Sequence, residues 1–217
     1  MRPDLTRISV LCELLRRYAR AGYLRLFCRP PVDLKARGAG SWIARPRSIV
    51  GRRFISIGAN THVLGYASIE AIASYAGQTF TPSIEIGSGV YIGQHVFISA
   101  VSGVQIGDGC VLSEQVYITD CAHGYDPKGG PIMRQPLSSK GPVVIGESSF
   151  IGYRAVISAG VSLGRHCVVG AQSVVTRSFP AYSMIAGAPA KLIKRFVPEL
   201  NGWVEVERAG GASSQTM

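Results

Sequence analysis

The chain has 217 residues, of which 47% are apolar and 17% charged, so it is too hydrophobic and too poor in charge for an intrinsically disordered chain. No apolar run approaches the roughly 20 residues that cross a bilayer. Five cysteines without a C-x-x-C pair favour neither a disulfide framework nor a zinc module. These features predict a folded protein of a reducing compartment, the cytoplasm.

The formal net charge of +10 is confined to the first quarter of the chain. Residues 1–53 hold 13 Lys and Arg against 3 Asp and Glu, whereas residues 54–217 hold 10 of each kind. Apolar side chains between the arginines of residues 5–28 predict a basic amphipathic helix. We expect the basic N-terminal segment, residues 1–53, to cap the body of the protein or, alternatively, to lie through residues 1–40 on the anionic inner face of the plasma membrane. A nucleic-acid partner is not expected, because no binding motif accompanies the charge.

Residues 54–180 repeat an aliphatic residue every six positions. A period of six fits neither an α-helix nor an alternating strand, so the chain must turn at the same point of every unit. Three short strands per 18 residues make a triangular coil, and stacked coils bury a continuous column. The pattern predicts an all-β fold, a parallel β-helix of about five coils. Fifteen positions follow the rule, in five triplets: Ile57, Val63, Ile69; Ile86, Ile92, Ile98; Ile106, Leu112, Ile118; Ile145, Ile151, Ile157; Leu163, Val169, Val175.

The six-residue period is interrupted three times, and each interruption predicts an insertion that leaves the stacked triangular coils at a corner. The step is 17 residues from Ile69 to Ile86, 8 from Ile98 to Ile106, and 27 from Ile118 to Ile145. The last break predicts a protruding loop at residues 122–142, rich in glycine and proline, and such long excursions usually carry function. Residues 181–217 are expected to close the coil and to end in a flexible tail.

The hexads, the segment ITDCAHGYD at residues 118–126 and the ending VVGAQSVVTRSFPAYSMIAGAPAKLIKRF at residues 168–196 resemble hexapeptide-repeat acetyltransferases. The chain is most similar to the sugar O-acetyltransferases of O-antigen and capsule biosynthesis, relatives of the maltose and nodulation-factor acetyltransferases. The resemblance implies a left-handed β-helix, a homotrimer with active sites between subunits, and direct transfer from acetyl-CoA to a sugar hydroxyl of a bacterial surface polysaccharide or its precursor. An amino-sugar N-acetyltransferase, a xenobiotic acetyltransferase and a non-catalytic hexapeptide scaffold are the alternatives.

Transfer to a hydroxyl needs a base, because a hydroxyl is a poor nucleophile until its proton is being removed. His123 at the root of the loop is the candidate, because imidazole titrates near neutral pH, and the resemblance makes this histidine the catalytic residue. Asp120 is expected either to orient the imidazole, as a carboxylate does in hydrolytic triads, or to form a turn. The neighbouring Cys121 is an alternative nucleophile, which the direct transfer implied by the resemblance disfavours.

The remaining candidate residues come from the loop and from the resemblance. The resemblance to maltose-type enzymes implies that His95 contacts the acceptor; an exposed corner histidine is the other interpretation. No catalytic metal is expected, because Ile118 stands where γ-class carbonic anhydrases of this scaffold have a histidine. We expect the acceptor pocket to be shaped by Tyr125, Asp126 and Arg134. For acetyl-CoA, the resemblance implies contacts from the thioester to the phosphates with Gly152, Tyr153, Ala171, Thr176, Arg177 and Lys191.

Overall fold

Each hexad triplet folds into one coil of three short strands, and six coils stack into a triangular prism. The computed structural model describes residues 34–206; the predicted helix at residues 5–28 and the tail after residue 206 lie outside the described residues. Short 3-10 turns occupy Arg52–Phe54, Ile132–Arg134 and Pro198–Leu200. The strands are, in chain order, β1 (Ala36–Arg37), β2 (Trp42–Ile43), β3 (Ser48–Val50), β4 (Ile55–Ile57), β5 (His62–Val63), β6 (Ser68–Ala71), β7 (Ser74–Tyr75), β8 (Gln78–Thr79), β9 (Ser83–Ile86), β10 (Tyr91–Ile92), β11 (Phe97–Ala100), β12 (Gly103–Ile106), β13 (Val111–Leu112), β14 (Tyr117–Thr119), β15 (Ala122–His123), β16 (Leu137–Ser138), β17 (Val143–Ile145), β18 (Phe150–Ile151), β19 (Val156–Ile157), β20 (Ser162–Leu163), β21 (Val168–Val169), β22 (Val174–Val175), β23 (Ser183–Gly187), β24 (Ala190–Val197) and β25 (Gly202–Glu205).

The three sides of the prism are parallel sheets, named A, B and C after the first, second and third strand of each coil. Sheet A has the order β1-β4-β9-β12-β17-β20, sheet B begins β2-β5-β10-β13-β18-β21, and sheet C runs β3-β6-β11-β14-β19-β22. The register stacks each aliphatic hexad residue on its equivalent in the coil before it, as with Ile69, Ile98 and Ile118 on sheet C. All fifteen predicted aliphatic residues are buried, and none is more than 3% exposed. The predicted column is therefore the core of the protein.

The glycine that follows many aliphatic residues lies where successive coils approach each other. A side chain on Gly107 would place its Cβ 2.5 Å from the backbone nitrogen of Glu147 in the next coil. Only glycine fits this gap without a shift of the backbone. The glycine preference of the hexads is thus a consequence of coil stacking.

The prism begins earlier in the chain than the sequence predicts. Strands β1, β2 and β3 pair in parallel with β4, β5 and β6, so residues 36–50 form a first coil. The boundary expected at residue 53 is corrected accordingly, and the coil count is six. Ile43 and Ile49 keep the six-residue phase. The first position of this triplet, which pairs with Ile57, is occupied by Arg37, so the apolar pattern is incomplete and the coil is not recognised from the sequence. The Arg37 side chain is exposed.

Two insertions leave the prism at the C–A corner, the edge where the chain passes from sheet C to sheet A. After β6 the chain forms the hairpin β7–β8 before it enters β9. After β14 it forms the long loop, whose base is the antiparallel pair β15–β16, before it enters β17. The third coil lies between them and has only a short corner at residues 101–103. The hairpin and the long loop therefore meet across it.

The last part of the described chain closes the prism on sheet B. Strand β23 continues the parallel sheet beside β21, and β24 and β25 add to it in antiparallel order. Among residues 34–206, no helix is long and apolar enough to cross a membrane.

Candidate active site

His123 lies at the root of the long loop, on the exposed side of the C–A corner. It belongs to β15 and faces Leu137 of β16 in the antiparallel register. Its imidazole is exposed, and Nδ1 lies 3.3 Å from the Tyr75 hydroxyl oxygen. The two rings meet edge to face, with centroids 5.3 Å apart. An accessible imidazole in a defined orientation has the features that a general base requires.

The hairpin β7–β8 supports this part of the loop, a role that the sequence did not reveal. The Tyr75 hydroxyl donates a hydrogen bond of 2.6 Å to the carbonyl oxygen of Met133 in the long loop. Gln78 pairs its amide with the backbone of Leu137: Oε1 accepts from the N–H at 2.7 Å, and Nε2 donates to the carbonyl at 3.2 Å. The only sequence signal for the hairpin was the 17-residue step from Ile69 to Ile86.

Asp120 has partners other than the imidazole that it was expected to orient. It is completely buried, and its Oδ1 accepts the N–H of Val101 at 2.8 Å. Its Oδ2 accepts the N–H groups of Ser102 at 2.7 Å and Gly103 at 2.6 Å. Both carboxylate oxygens are thus engaged by the short corner of the third coil. These contacts differ from both sequence-based interpretations, because Asp120 binds the backbone of a corner in the preceding coil and does not contact the imidazole or form a turn of its own.

Cys121 is a poor candidate for a covalent nucleophile. Its side chain is partly buried beside Thr119, whose hydroxyl oxygen lies 3.6 Å from Sγ. Burial raises the pKa of the Cys121 thiol, which disfavours the reactive thiolate.

The distal part of the long loop is organised around Gln135, a buried side chain inside an otherwise exposed segment. Gln135 Oε1 accepts the N–H of Asp126 at 2.9 Å, and Nε2 donates to the carbonyls of Asp126 and Gly130, each at 2.9 Å. The three side chains expected to bind the acceptor, Tyr125, Asp126 and Arg134, are exposed on this loop, and Tyr125 is 82% exposed. The structure brings these residues to the same loop as His123.

Replacing Gln135 by alanine should loosen the loop while leaving the coils intact. Three hydrogen bonds are lost, and the backbone groups of Asp126 and Gly130 lose their internal partner. We expect trypsin to cut the loop, at Lys128 or Arg134, about 10- to 100-fold faster, because cleavage follows the free energy of local opening. Gln105→Ala, on the exposed face of sheet A, is the control. An unchanged cleavage rate in the Gln135 variant would show that the buried amide does not order the loop.

The predicted acceptor and coenzyme residues lie at two different corners of one chain. His95 is an exposed residue at the B–C corner, the edge between sheets B and C, and its ring stacks on Tyr66 with centroids 5.0 Å apart. Gly152, Tyr153 and Ala171 lie at the same corner in the fifth and sixth coils. Thr176 and Arg177 instead follow β22 at the C–A corner, two coils beyond the loop of His123.

At the B–C corner, small residues of successive coils are in close contact. A Cβ on Gly152 would lie 2.7 Å from the backbone nitrogen of Ala171, and one on Gly170 would lie 2.9 Å from the Ala186 side chain. Lys191 pairs with Ala186 across β23 and β24, so its exposed side chain lies at the end of this row. In the described residues, His, Cys, Asp and Glu form no group of three that could hold a metal ion.

The family model for the hexapeptide repeat of succinyl-transferase matches residues 83–120 and 142–177. These stretches are the third to sixth coils, and the long loop lies between them. Together with the fold, the match confirms the predicted hexapeptide repeat and the likeness of this chain to hexapeptide-repeat acyltransferases.

Curated relatives fall in the acetyltransferase class that the sequence predicts. A probable acetyltransferase of Mycobacterium tuberculosis is 36% identical over 52% of this chain and 37% of its own length. The putative lipopolysaccharide biosynthesis O-acetyl transferase WbbJ of Escherichia coli is 34% identical over 52% of this chain and 61% of its own length. The galactoside O-acetyltransferase of Escherichia coli is 26% identical over 71% of this chain and 70% of its own length. The chain thus matches less than two thirds of the length of the first two relatives.

Among solved structures, the N-acyltransferase AntD of Bacillus cereus, in complex with dTDP and 3-hydroxybutyryl-CoA, superposes with a TM-score of 0.65. The superposition covers 77% of this chain and 86% of AntD, at 20% sequence identity. At this identity the likeness shows the fold, and it confirms the predicted left-handed parallel β-helix.

Proposed function

We propose that the protein is an acetyl-CoA-dependent O-acetyltransferase that acts on a sugar hydroxyl of a bacterial surface polysaccharide or of its precursor. The observation that carries this proposal is the exposed imidazole of His123, oriented by the hairpin at the root of a loop between two stretches of hexapeptide repeat. The relatives add support, since two of them are O-acetyltransferases, one of lipopolysaccharide biosynthesis and one of galactosides.

The proposed reaction needs one side chain of this protein to accept and return a proton. Acetyl-CoA supplies the acetyl group as a thioester. The imidazole of His123 removes the proton of the acceptor hydroxyl while that oxygen bonds to the thioester carbonyl carbon. When the carbon–sulfur bond breaks, the imidazolium returns the proton to the departing sulfur. No covalent acyl-enzyme is needed, which agrees with the raised pKa of the Cys121 thiol.

The residues present fit the coenzyme. Gly152 lies close against the backbone of Ala171 in the next coil, so that no side chain projects from position 152, and the narrow pantetheine arm is proposed to lie along this corner. The exposed Arg177 and Lys191 suit the phosphates at the other end, because cationic side chains form charge-assisted hydrogen bonds with them.

We propose a homotrimer because the candidate residues are divided between two corners that flank sheet C. A groove between neighbouring copies brings the C–A corner of one, with His123, against the B–C corner of the next, with Gly152 and Ala171. Exposed apolar side chains of the loop, Ile132 at 54% and Met133 at 68%, are available for such a contact. Light scattering should give three chains per particle, and a monomer that transfers acetyl groups would contradict the shared site.

The direct test is thiol release from acetyl-CoA with a panel of acceptors. We expect release with sugars that carry free hydroxyls and a rise in melting temperature with acetyl-CoA. Each amino sugar is compared with its hydroxyl analogue, so that N-acetylation is recognised, and aminoglycosides test the xenobiotic alternative. Absence of both thermal shift and release would favour a non-catalytic scaffold.

The role of residues 1–33 is tested by removing them. Residues 34–53 contain six Lys and Arg and no Asp or Glu, and all six cations are exposed, so this stretch itself suits an anionic surface. Deletion must stop at residue 33, because a deletion to residue 40 removes β1. If residues 1–33 contact membranes, vesicles with anionic lipids should pellet a larger fraction of the full chain than of the truncated one, which keeps the six cations of residues 34–53. If they cap the prism, truncation should lower the melting temperature without affecting pelleting.

A further inference from the structure

We infer that Tyr75 is a positioning residue that holds His123 as the tautomer with its proton on Nδ1, leaving the lone pair of Nε2 as the base. The inference rests on the proposed function for the role of His123, whereas the tautomer follows from the hydrogen bonds alone. Tyr75 belongs to the hairpin β7–β8, an insertion outside the segments that the family model matches.

The argument depends on the single proton of the Tyr75 hydroxyl. The carbonyl oxygen of Met133 can only accept a hydrogen bond, and it lies 2.6 Å from the hydroxyl oxygen. The hydroxyl proton is therefore directed to Met133. What remains on the oxygen is a lone pair, and Nδ1 of His123, 3.3 Å away, must be the donor of the second hydrogen bond. A neutral imidazole that donates from Nδ1 has an unprotonated Nε2.

The same hydrogen bond persists through the proposed reaction. When Nε2 takes a proton from the acceptor, Nδ1 still carries its own, so the bond to Tyr75 is kept in both charge states. The ring does not need to turn between the removal of the proton and its return. A carboxylate partner fixes the tautomer in hydrolytic triads; here the carboxylate of Asp120 is occupied by backbone N–H groups, and a phenol takes its place.

The hairpin is fixed firmly enough to serve this purpose. Gln78, on the strand that pairs with β7, makes two hydrogen bonds with the backbone of Leu137. Leu137 is the residue opposite His123 in the pair β15–β16. The phenol and the imidazole are thus positioned by one connected set of backbone and amide contacts, which limits their relative movement.

The tautomer is measured directly by NMR of protein labelled with nitrogen-15 in its imidazole rings, above the pH at which the ring is charged. The spectrum of His123→Ala identifies the signals of His123 among the four histidines. We expect a protonated Nδ1 and a bare Nε2 in the wild type, and a shift of the proton towards Nε2 in Tyr75→Phe. A wild-type proton on Nε2, or an unchanged distribution in Tyr75→Phe, would overturn the inference.

Kinetics of the Tyr75→Phe variant separate an effect on the orientation of His123 from an effect on acetyl-CoA binding. Tyr75→Phe should lower kcat for thiol release about 3- to 10-fold, because the hydrogen bond that orients His123 is lost. The bond to the Met133 carbonyl is lost as well, but water can replace it at this exposed position. The KM for acetyl-CoA and the melting temperature should stay at their wild-type values. Tyr91→Phe, on the outer face of sheet B, is the matched control and should leave kcat unchanged. A wild type that releases no thiol would count against the proposed function, whereas the NMR spectrum would still decide the tautomer.

Discussion

Replacing His123 by alanine should lower kcat for acetyl transfer by a factor on the order of 10² to 10⁴, the contribution typical of a general base. The side chain is exposed at the base of the loop, and its removal leaves the strand pair β15–β16 with its backbone hydrogen bonds. We therefore expect an unchanged melting temperature. The KM for acetyl-CoA should also stay constant, because the residues proposed to bind the coenzyme belong to other coils.

A second histidine provides the matched control. His166 is also exposed and also contacts a tyrosine, since its ring stacks on Tyr182 with centroids 5.4 Å apart. It lies at the corner between sheets A and B, away from the long loop, and its backbone φ is 52°. Asparagine tolerates this left-handed conformation, so His166→Asn should retain both fold and kcat. A His123→Ala protein with wild-type turnover would remove the imidazole from the mechanism, and equal losses in both variants would indicate a general effect on the fold.

The β-helical prism could be predicted because its six-residue period is visible in the aliphatic residues of the sequence. Each hexad contributes one inward aliphatic side chain, and each interruption of phase marks an insertion that the structure contains. The first coil was missed because Arg37, whose side chain is exposed, stands at the aliphatic position of its hexad. The apolar pattern reports burial, so it fails at a hexad position that is not buried.

The contacts of the site could not be predicted, because they join different coils. Asp120 binds backbone amides 17 to 19 residues earlier in the chain, at a corner whose shape depends on an insertion of two residues. Tyr75 lies 48 residues before His123. Its place beside the imidazole follows only once the hairpin and the loop are known to leave the same edge of the prism. The loop position and the family resemblance made His123 the candidate base, but the sequence gave no measure of distances across coils.

Replacing Asp120 should destabilise the protein, in contrast to the catalytic effect expected of a triad carboxylate. In Asp120→Asn one carboxylate oxygen becomes an NH₂ group, which faces backbone N–H donors. Whichever way the amide turns, at least one N–H of residues 101–103 loses its acceptor. The expected loss is about 1–3 kcal/mol in the free energy of unfolding for Asp120→Asn. For Asp120→Ala, which leaves all three N–H groups without an acceptor, the expected loss in the free energy of unfolding is about 3–5 kcal/mol.

Asp108 is the matched control for this experiment, because it also accepts a backbone N–H from the preceding coil. Its Oδ1 receives the N–H of Ser88 at 2.7 Å, but the side chain is exposed and water can replace it. Asp108→Asn should therefore cost no more than about 0.5 kcal/mol in urea denaturation. The comparison separates a buried carboxylate with three backbone N–H partners from an exposed carboxylate with one, both two residues after the aliphatic residue of their hexads.

Activity at low temperature then separates the two roles of Asp120. If the carboxylate holds the corner of the third coil, kcat of Asp120→Asn should follow the folded fraction and approach the wild-type value where the variant is fully folded. A variant as stable as the wild type, yet slower by orders of magnitude, would mean that the carboxylate acts on the imidazole. The three hydrogen bonds to residues 101–103 favour the first result, because a carboxylate with both oxygens engaged by backbone amides has little capacity left to orient a ring.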